Sequence, residues 1–150
     1  MGFEISIPTR NAALEAVATL HSGHVIRVFD CSGSIPTSPS AAWSGFTLLG
    51  IFTESDDGST GLTMEASATN GVLEKNSGEL WQSTVIADGT AEWYVMSSIS
   101  DTGGSSTTEP RVTGTVGVVN ADLLFSSVDW SIDDEKRIDT YVWGQPEDAS

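Results

Sequence analysis

The chain has 150 residues, the usual size of one domain, and 39% of them are hydrophobic, enough for a core without disulfides. Its 6 Lys and Arg residues face 21 Asp and Glu residues, and the net charge of −15 argues against binding to nucleic acid or to an anionic membrane. The lone cysteine, Cys31, excludes an intrachain disulfide and a four-cysteine zinc site, and we expect it to be a small buried residue. No apolar run is long enough to predict a signal peptide or a membrane span.

The first residues of the chain alternate apolar and polar side chains. Phe3, Ile5 and Ile7 alternate with polar residues until the chain reaches Pro8. This pattern predicts either a first strand or an extended arm over residues 1–9 that pairs with something else. We expect the main domain to cover residues 10–144 and an acidic tail to follow at residues 145–150.

One helix is predicted, at residues 11–22, with Asn11 as its N-cap and Gly23 at its end. The apolar residues of this segment recur at helical spacing and predict one buried stripe. Its members are Leu14, Val17, Ala18 and His21.

The rest of the chain reads as short β-strands between turns. Gly50 lies inside one of them and predicts a bulge or a point of close approach. About eight to ten strands at this spacing are typical of an all-β sandwich or barrel. The predicted strands are residues 24–31, 46–54, 72–75, 80–87, 91–97, 111–119, 123–126, 128–132 and 137–143.

The strongest turn signal is Asp88-Gly89, which lies between two β-rich runs. It predicts a hairpin of residues 80–87 and 91–97. Trp93 and Tyr94 would point to opposite faces of the second strand, so we expect both of its faces to be covered. Asn70-Gly71 predicts a second turn. The Ser- and Thr-rich composition of residues 98–110 predicts a flexible, exposed loop.

No group of residues carries a recognisable catalytic signature. His21 and His24 lie three apart, but Gly23 breaks the helix between them, so a structural or exposed role is favoured over metal binding. Residues 54–58 and 133–135 are acidic turns that lack a full calcium-loop pattern. Carboxylates are plentiful, but none is singled out as an acid–base pair. We therefore predict no catalytic residues, no metal and no cofactor.

The five tryptophans divide into two groups. Trp81, Trp93 and Trp130 fit the alternation of core strands. Trp43, in a loop, and Trp143, near the tail, are candidates for an interface with another chain. The alternative is that the tryptophans form a flat platform for stacking sugars.

Three stretches in this order resemble one family: residues 20–29 (LHSGHVIRVF), residues 87–95 with the run GTAEWY, and residues 114–125 (GTVGVVNADLLF). Together with Leu48-Leu49-Gly50, they are similar to the jelly-roll cement or decoration proteins on the heads of tailed bacteriophages. The resemblance implies a jelly-roll-like antiparallel β-sandwich of about eight to ten strands with one short N-terminal helix. The sequence departs from the pattern at residues 133–136, which replace a Gly-containing turn.

The resemblance also implies a mechanical function. The protein would bind the outer surface of a capsid and cement neighbouring major capsid subunits, after synthesis in the host cytoplasm. A homodimer is expected, with a trimer as the second option. The predicted partner contacts are Phe3, Ile5, Ile7, Trp43 and Trp143. A tail or neck component of the virion and a carbohydrate-binding module are the alternatives.

Overall fold

The computed structural model describes residues 4–31 and 34–144 of the chain. These residues form one helix and eleven strands, and they confirm the all-β prediction. Phe3 and the predicted tail at residues 145–150 lie outside the described residues. The elements are α1 (Ile7–Leu20), β1 (Val25–Asp30), β2 (Thr47–Glu54), β3 (Val72–Glu74), β4 (Trp81–Thr84), β5 (Gly89–Thr90), β6 (Trp93–Ser97), β7 (Val112–Gly117), β8 (Leu123–Leu124), β9 (Asp129–Trp130), β10 (Glu135–Ile138) and β11 (Val142–Gly144).

Seven strands form one large sheet in the order β10-β4-β2-β1-β6-β7-β8, which is nearly closed into a barrel. Leu124 of β8 and Arg137 of β10 line a shared cavity across the remaining gap. The pair β7–β8 is parallel, with Val116 opposite Leu123, so the sheet is mixed and the antiparallel prediction is wrong for this pair. Two short ribbons, β11–β3 and β5–β9, complete the fold.

Strand β1 lies in the middle of the sheet, between β2 and β6, and is buried on both faces. Ile26 and Val28 point into the barrel, where they share the main core with Tyr94. On the outer face Phe29 stacks against Trp93, with 5.1 Å between the ring centroids. The prediction that Trp93 and Tyr94 face opposite, covered sides is therefore confirmed.

Strand β2 carries the predicted irregularity at Gly50. The register with β1 shifts between Val28, which pairs with Gly50, and Phe29, which pairs with Leu48. This shift is a β-bulge, which bends the strand. A Cβ atom on Gly50 would lie 2.7 Å from the Oγ of Ser83 on β4, so the close approach is also present.

The predicted hairpin of residues 80–87 and 91–97 is wrong. In the sheet β2 and β1 lie between β4 and β6, so the two strands do not pair. The backbone at Asp88 and Gly89 lacks the positive φ that a type I′ turn requires. Asp88 instead accepts a hydrogen bond from the Ile132 N–H at 2.7 Å, and Gly89 pairs with Trp130 of β9. The segment is a crossover between distant strands.

The turn at Asn70-Gly71 is confirmed. Both residues have positive φ, 54° and 75°, as a type I′ turn requires. Thr69 and Val72 exchange two backbone hydrogen bonds, of 2.8 and 3.0 Å, across the turn. The two dipeptides differ because the chain after Asn70-Gly71 pairs locally, whereas the chain around Gly89 pairs with β9.

Helix α1 begins four residues earlier than predicted. Ser6, in an extended conformation, is its N-cap, and Pro8 lies in its first turn, where a missing N–H costs nothing. Asn11 is inside the helix, and its side chain accepts a hydrogen bond from the Gly71 N–H at 2.8 Å. The prediction of a strand or arm is thus wrong from Ile7 to Thr9, which are helical.

The core tryptophans and Cys31 were predicted correctly. Trp81, Trp93 and Trp130 are all at most 2% exposed, and Cys31 is buried. At the end of the chain, however, the predicted strand at residues 137–143 is split into β10 and β11. The split places β10 on the barrel and β11 on a separate ribbon with β3.

Candidate interaction surface

Trp43 is part of a closed cluster outside the barrel. It is only 6% exposed and packs against Phe29, with 6.0 Å between the ring centroids. Its backbone N–H donates to the carbonyl of Gly103 at 2.9 Å. A Cβ atom on Gly103 would overlap with the indole Nε1, so this loop packs directly on the ring. The prediction of Trp43 as a partner contact is corrected, because the chain's own loop covers it.

A buried ion pair holds that loop in place. The Arg111 side chain donates to both carboxylate oxygens of Asp101, at 2.8 and 2.9 Å, and its guanidinium lies 4.4 Å from the centre of the Trp43 ring. Burial by itself raises the pKa of Asp101, but the hydrogen bonds from Arg111 and Gly103 outweigh it and bring that pKa below its usual value. Asp101 and Gly103 are both buried, so the prediction that residues 98–110 form an exposed loop is wrong at these two positions, while most of the other residues of the loop are exposed as predicted.

Trp143 borders an open groove between α1, β7 and β11. We call this site the α1–β11 groove, and its volume is about 360 Å³. Its walls are apolar and polar in similar measure, and two of the apolar wall residues, Val17 and Val142, are 40% and 49% exposed. The apolar wall residues are Leu14, Val17, Val112, Val142 and Trp143.

The α1–β11 groove also contains four polar side chains, those of Tyr94, Thr113, Asp122 and Tyr141. The hydroxyl groups of Tyr94 and Tyr141 lie 2.7 Å apart and are hydrogen-bonded to each other. Burial raises the pKa of both hydroxyls, so they stay protonated at neutral pH. Asp122 accepts hydrogen bonds at one carboxylate oxygen, from the N–H of Thr115 at 2.9 Å and from its hydroxyl at 3.2 Å.

Gly114 allows these polar groups to come together. A Cβ atom on Gly114 would lie 2.7 Å from both the Asp122 carboxylate and the Tyr94 hydroxyl. The motif of residues 114–125 thus forms the parallel β7–β8 pair and one side of the groove.

No family profile, curated protein or solved structure gives a significant match to the chain. The resemblance to the phage cement proteins therefore stays a prediction.

A histidine pair lies at the end of α1, next to the groove. The Nδ1 atoms of His21 and His24 are 2.9 Å apart, and the His21 ring packs edge-on against Trp143. Burial, together with the charge of His24, lowers the pKa of His21 from 6.5 to about 4. Both rings are therefore neutral near pH 7, and one of them donates its proton to the other.

The two acidic turns use their carboxylates within the fold. Asp57 accepts hydrogen bonds from the N–H groups of Ser59 and Thr60, at 2.8 and 2.7 Å. Asp134 accepts one from the Ser131 N–H at 2.9 Å. In residues 4–31 and 34–144, no three His, Cys, Asp or Glu side chains converge on a point where a metal ion would fit.

The structure separates the predicted partner contacts. Trp143 lines the α1–β11 groove, whereas Trp43 lies in the closed cluster. Ile7, in the first turn of α1, is 43% exposed, and Ile5 is partly buried. Sequence reasoning missed Asp122, although the spacing of Gly114 and Asp122 in a quoted motif was the signal for it.

The 14 residues of α1 fall short of the roughly 20 apolar residues that a bilayer-crossing helix needs. Among the residues that the structure describes, no helix is long and apolar enough to cross a membrane.

Proposed function

We propose that this protein is a structural virion component that binds the outer surface of a tailed-phage head and cements neighbouring major capsid subunits. The observation that carries the proposal is the α1–β11 groove, an open site in which the exposed Val17 and Val142 lie beside polar side chains, on a protein whose net charge is −15. Exposed apolar surface framed by polar residues is typical of a site for another protein. The resemblance of residues 114–125 to the cement proteins supplies the choice of partner.

The shape of the groove suits attachment by strand addition. Strand β11 pairs only with β3 among the described residues, and Val112 and Thr113 of β7 pair only with β6. Both strands therefore present an edge toward the groove, where an extended segment of a capsid subunit would bind. A weak contact of this kind becomes strong when it is repeated on a lattice, since each additional site raises the avidity.

The N-terminal residues would add a second contact. Phe3 and Ile5 precede α1 and remain proposed partner contacts, together with Ile7 on the exposed side of the first helical turn. Self-association as a homodimer, or as a trimer, would double or triple the number of grooves offered to the shell. No enzymatic activity is part of this proposal.

The alternatives differ in how they use Trp43 and Trp143. A sugar-stacking platform needs exposed, coplanar rings, but Trp43 is 6% exposed and covered by residues 98–111. The burial of Trp43 therefore removes the feature that favoured a carbohydrate-binding module. A tail or neck role in the virion would use the same groove and differs only in the structure to which the protein binds.

Co-sedimentation tests the proposal. The purified protein is mixed with empty heads made from the major capsid protein of the same phage, and binding is measured in the pellet. We expect saturable binding that Val17→Asp weakens, because a charge would lie on the apolar wall. Ile132→Asp is the matched control, since Ile132 is 55% exposed and lies outside the groove. A wild-type protein that stays in the supernatant would overturn the capsid role.

A further inference from the structure

The polar groups of the α1–β11 groove are not all satisfied by the protein. Two hydroxyl protons belong to Tyr94 and Tyr141, but the hydrogen bond between these residues uses only one of them. Both side chains are at most 3% exposed, so the second proton is left for an acceptor inside the groove. Buried polar groups normally find a partner, so this proton indicates a missing hydrogen-bond acceptor.

Asp122 adds an unpaired negative charge to the same groove. Its contacts with Thr115 use the Oδ2 atom, and it makes no ion pair with any residue that the structure describes. The lining of the groove contains no Lys or Arg. Asp122 is exposed at the edge of the groove, so its carboxylate is open to a cation from a partner, and a hydrogen bond to an ionised group is stronger than a neutral one.

The chain has few cations of its own to offer. Arg27 and Arg111 are buried under the loop that covers Trp43. The Lys75 ammonium donates to two backbone carbonyls, and Lys136 and Arg137 lie beside Asp134 and Asp139. With 6 cations against 21 carboxylates, the surface field attracts a positively charged partner.

We propose that the α1–β11 groove binds an extended protein segment by inserting one of its Lys or Arg side chains. The cationic head group pairs with Asp122, and the aliphatic stem packs against Val17 and Val142. The ring of Trp143 offers a cation–π contact beside the same path. A backbone carbonyl of the segment accepts the spare tyrosine proton, which is why a peptide fits better than a simple amine.

This inference rests on the proposed function for the identity of the partner, which would be a basic segment of the capsid subunit. The chemistry of the groove does not depend on that identity. A test with a synthetic peptide therefore separates the two: peptide binding without binding to heads would contradict the capsid role alone. Head binding that Asp122→Asn leaves unchanged would contradict the basic anchor alone.

The probe is the short peptide acetyl-Ala-Val-Arg-Val-Ala-amide, compared with the same peptide carrying citrulline, a neutral isostere of arginine. Binding is followed by NMR chemical shifts of the labelled full-length protein. We expect shifts at Val17, Thr113 and Val142, and an affinity roughly tenfold higher for the arginine peptide. This preference should shrink as salt is added, because ions screen the charge pair.

Two variants make the assignment specific. Asp122→Asn keeps an oxygen for Thr115 but removes the charge, so the arginine peptide should lose its roughly tenfold advantage. Asp129→Asn removes one exposed charge from β9, outside the groove, and should keep the advantage. Thermal melts check that both variants are folded. Equal affinity for the two peptides in the wild type, shifts at other residues, or no binding of either peptide would overturn the proposal.

Discussion

Trp43 and Trp143 both lie at the periphery of the barrel, and their surroundings differ in how charge is balanced. Around Trp43, Arg111 and Asp101 neutralise each other under a loop that the same ion pair holds down. Around Trp143, the Asp122 carboxylate has no cationic partner among the described residues, and the groove is open. The comparison shows that a tryptophan outside the core is buried where a loop of the same chain, held by an ion pair, covers its ring.

The largest expected difference is in stability. Trp43→Ala should lower the free energy of unfolding by about 3–5 kcal/mol, because it removes a buried ring and leaves a cavity. Trp143→Ala should cost about half as much, since Trp143 is only partly buried. Urea denaturation of both variants measures the difference. Equal losses would break the comparison, because they would make Trp143 as internal as Trp43.

The ion pair near Trp43 gives the second prediction. Asp101→Asn should destabilise the protein by about 3 kcal/mol, because it leaves the buried Arg111 cation without a counter-charge. Asp139→Asn breaks the exposed pair with Arg137 and should cost less than about 1 kcal/mol. Chemical denaturation gives both values. Limited proteolysis should cut Asp101→Asn within residues 98–110, and an uncut loop would contradict its dependence on the ion pair.

Two neighbouring glycines test how tightly this loop packs on Trp43. Gly103 has a φ of 87° and lies against the Trp43 ring, so Gly103→Ala should cost about 2 kcal/mol through strain and overlap. Gly104 is the control, because a Cβ atom there would meet nothing within 4 Å. Gly104→Ala should change the melting temperature very little. Similar melting temperatures for the two variants would argue against tight packing of the loop.

The smallest effect concerns pH and the Trp143 side. The pKa of His21 falls from 6.5 to about 4 on folding, so the unfolded chain binds more protons between these values. Its contribution to stability is complete above about pH 6.5 and declines as the pH falls toward 4.

Hydrogen exchange locates the pH effect. Near pH 5, amides of α1 should exchange faster relative to the global unfolding rate, while the loop over Trp43 stays protected, because the pKa of Asp101 lies below its usual value. His21→Gln should remove most of the change in α1. A change of the same size in that variant would assign the pH dependence to another group.

Local patterns in the sequence were sufficient for much of the fold. The alternation around Trp93 and Tyr94 predicted a strand covered on both faces, because side chains of a strand point to opposite sides whatever its neighbours are. The bulge at Gly50 and the turn at Asn70-Gly71 also follow from the conformational freedom of single residues. These features are decided within a few residues of the chain.

The candidate site was predicted only in part. Trp143 was identified from its position near the end of a strand, but the same reasoning selected Trp43, which the loop at residues 98–111 covers. Asp122 and the tyrosine pair meet only because β7, β8 and the chain before β11 converge. The spacing of residues within one segment cannot predict contacts between segments that are distant in sequence.

The all-β class, the core tryptophans and the acidic character could be predicted from the amino-acid sequence, because they depend on residue type and local periodicity. The pairing of the strands, the path of the Asp88-Gly89 segment and the exposure of the two peripheral tryptophans required the folded structure. Strand edges, loops and buried charges could not be assigned from the sequence because each contacts a residue that only the complete fold brings close to it. That residue is often distant in sequence.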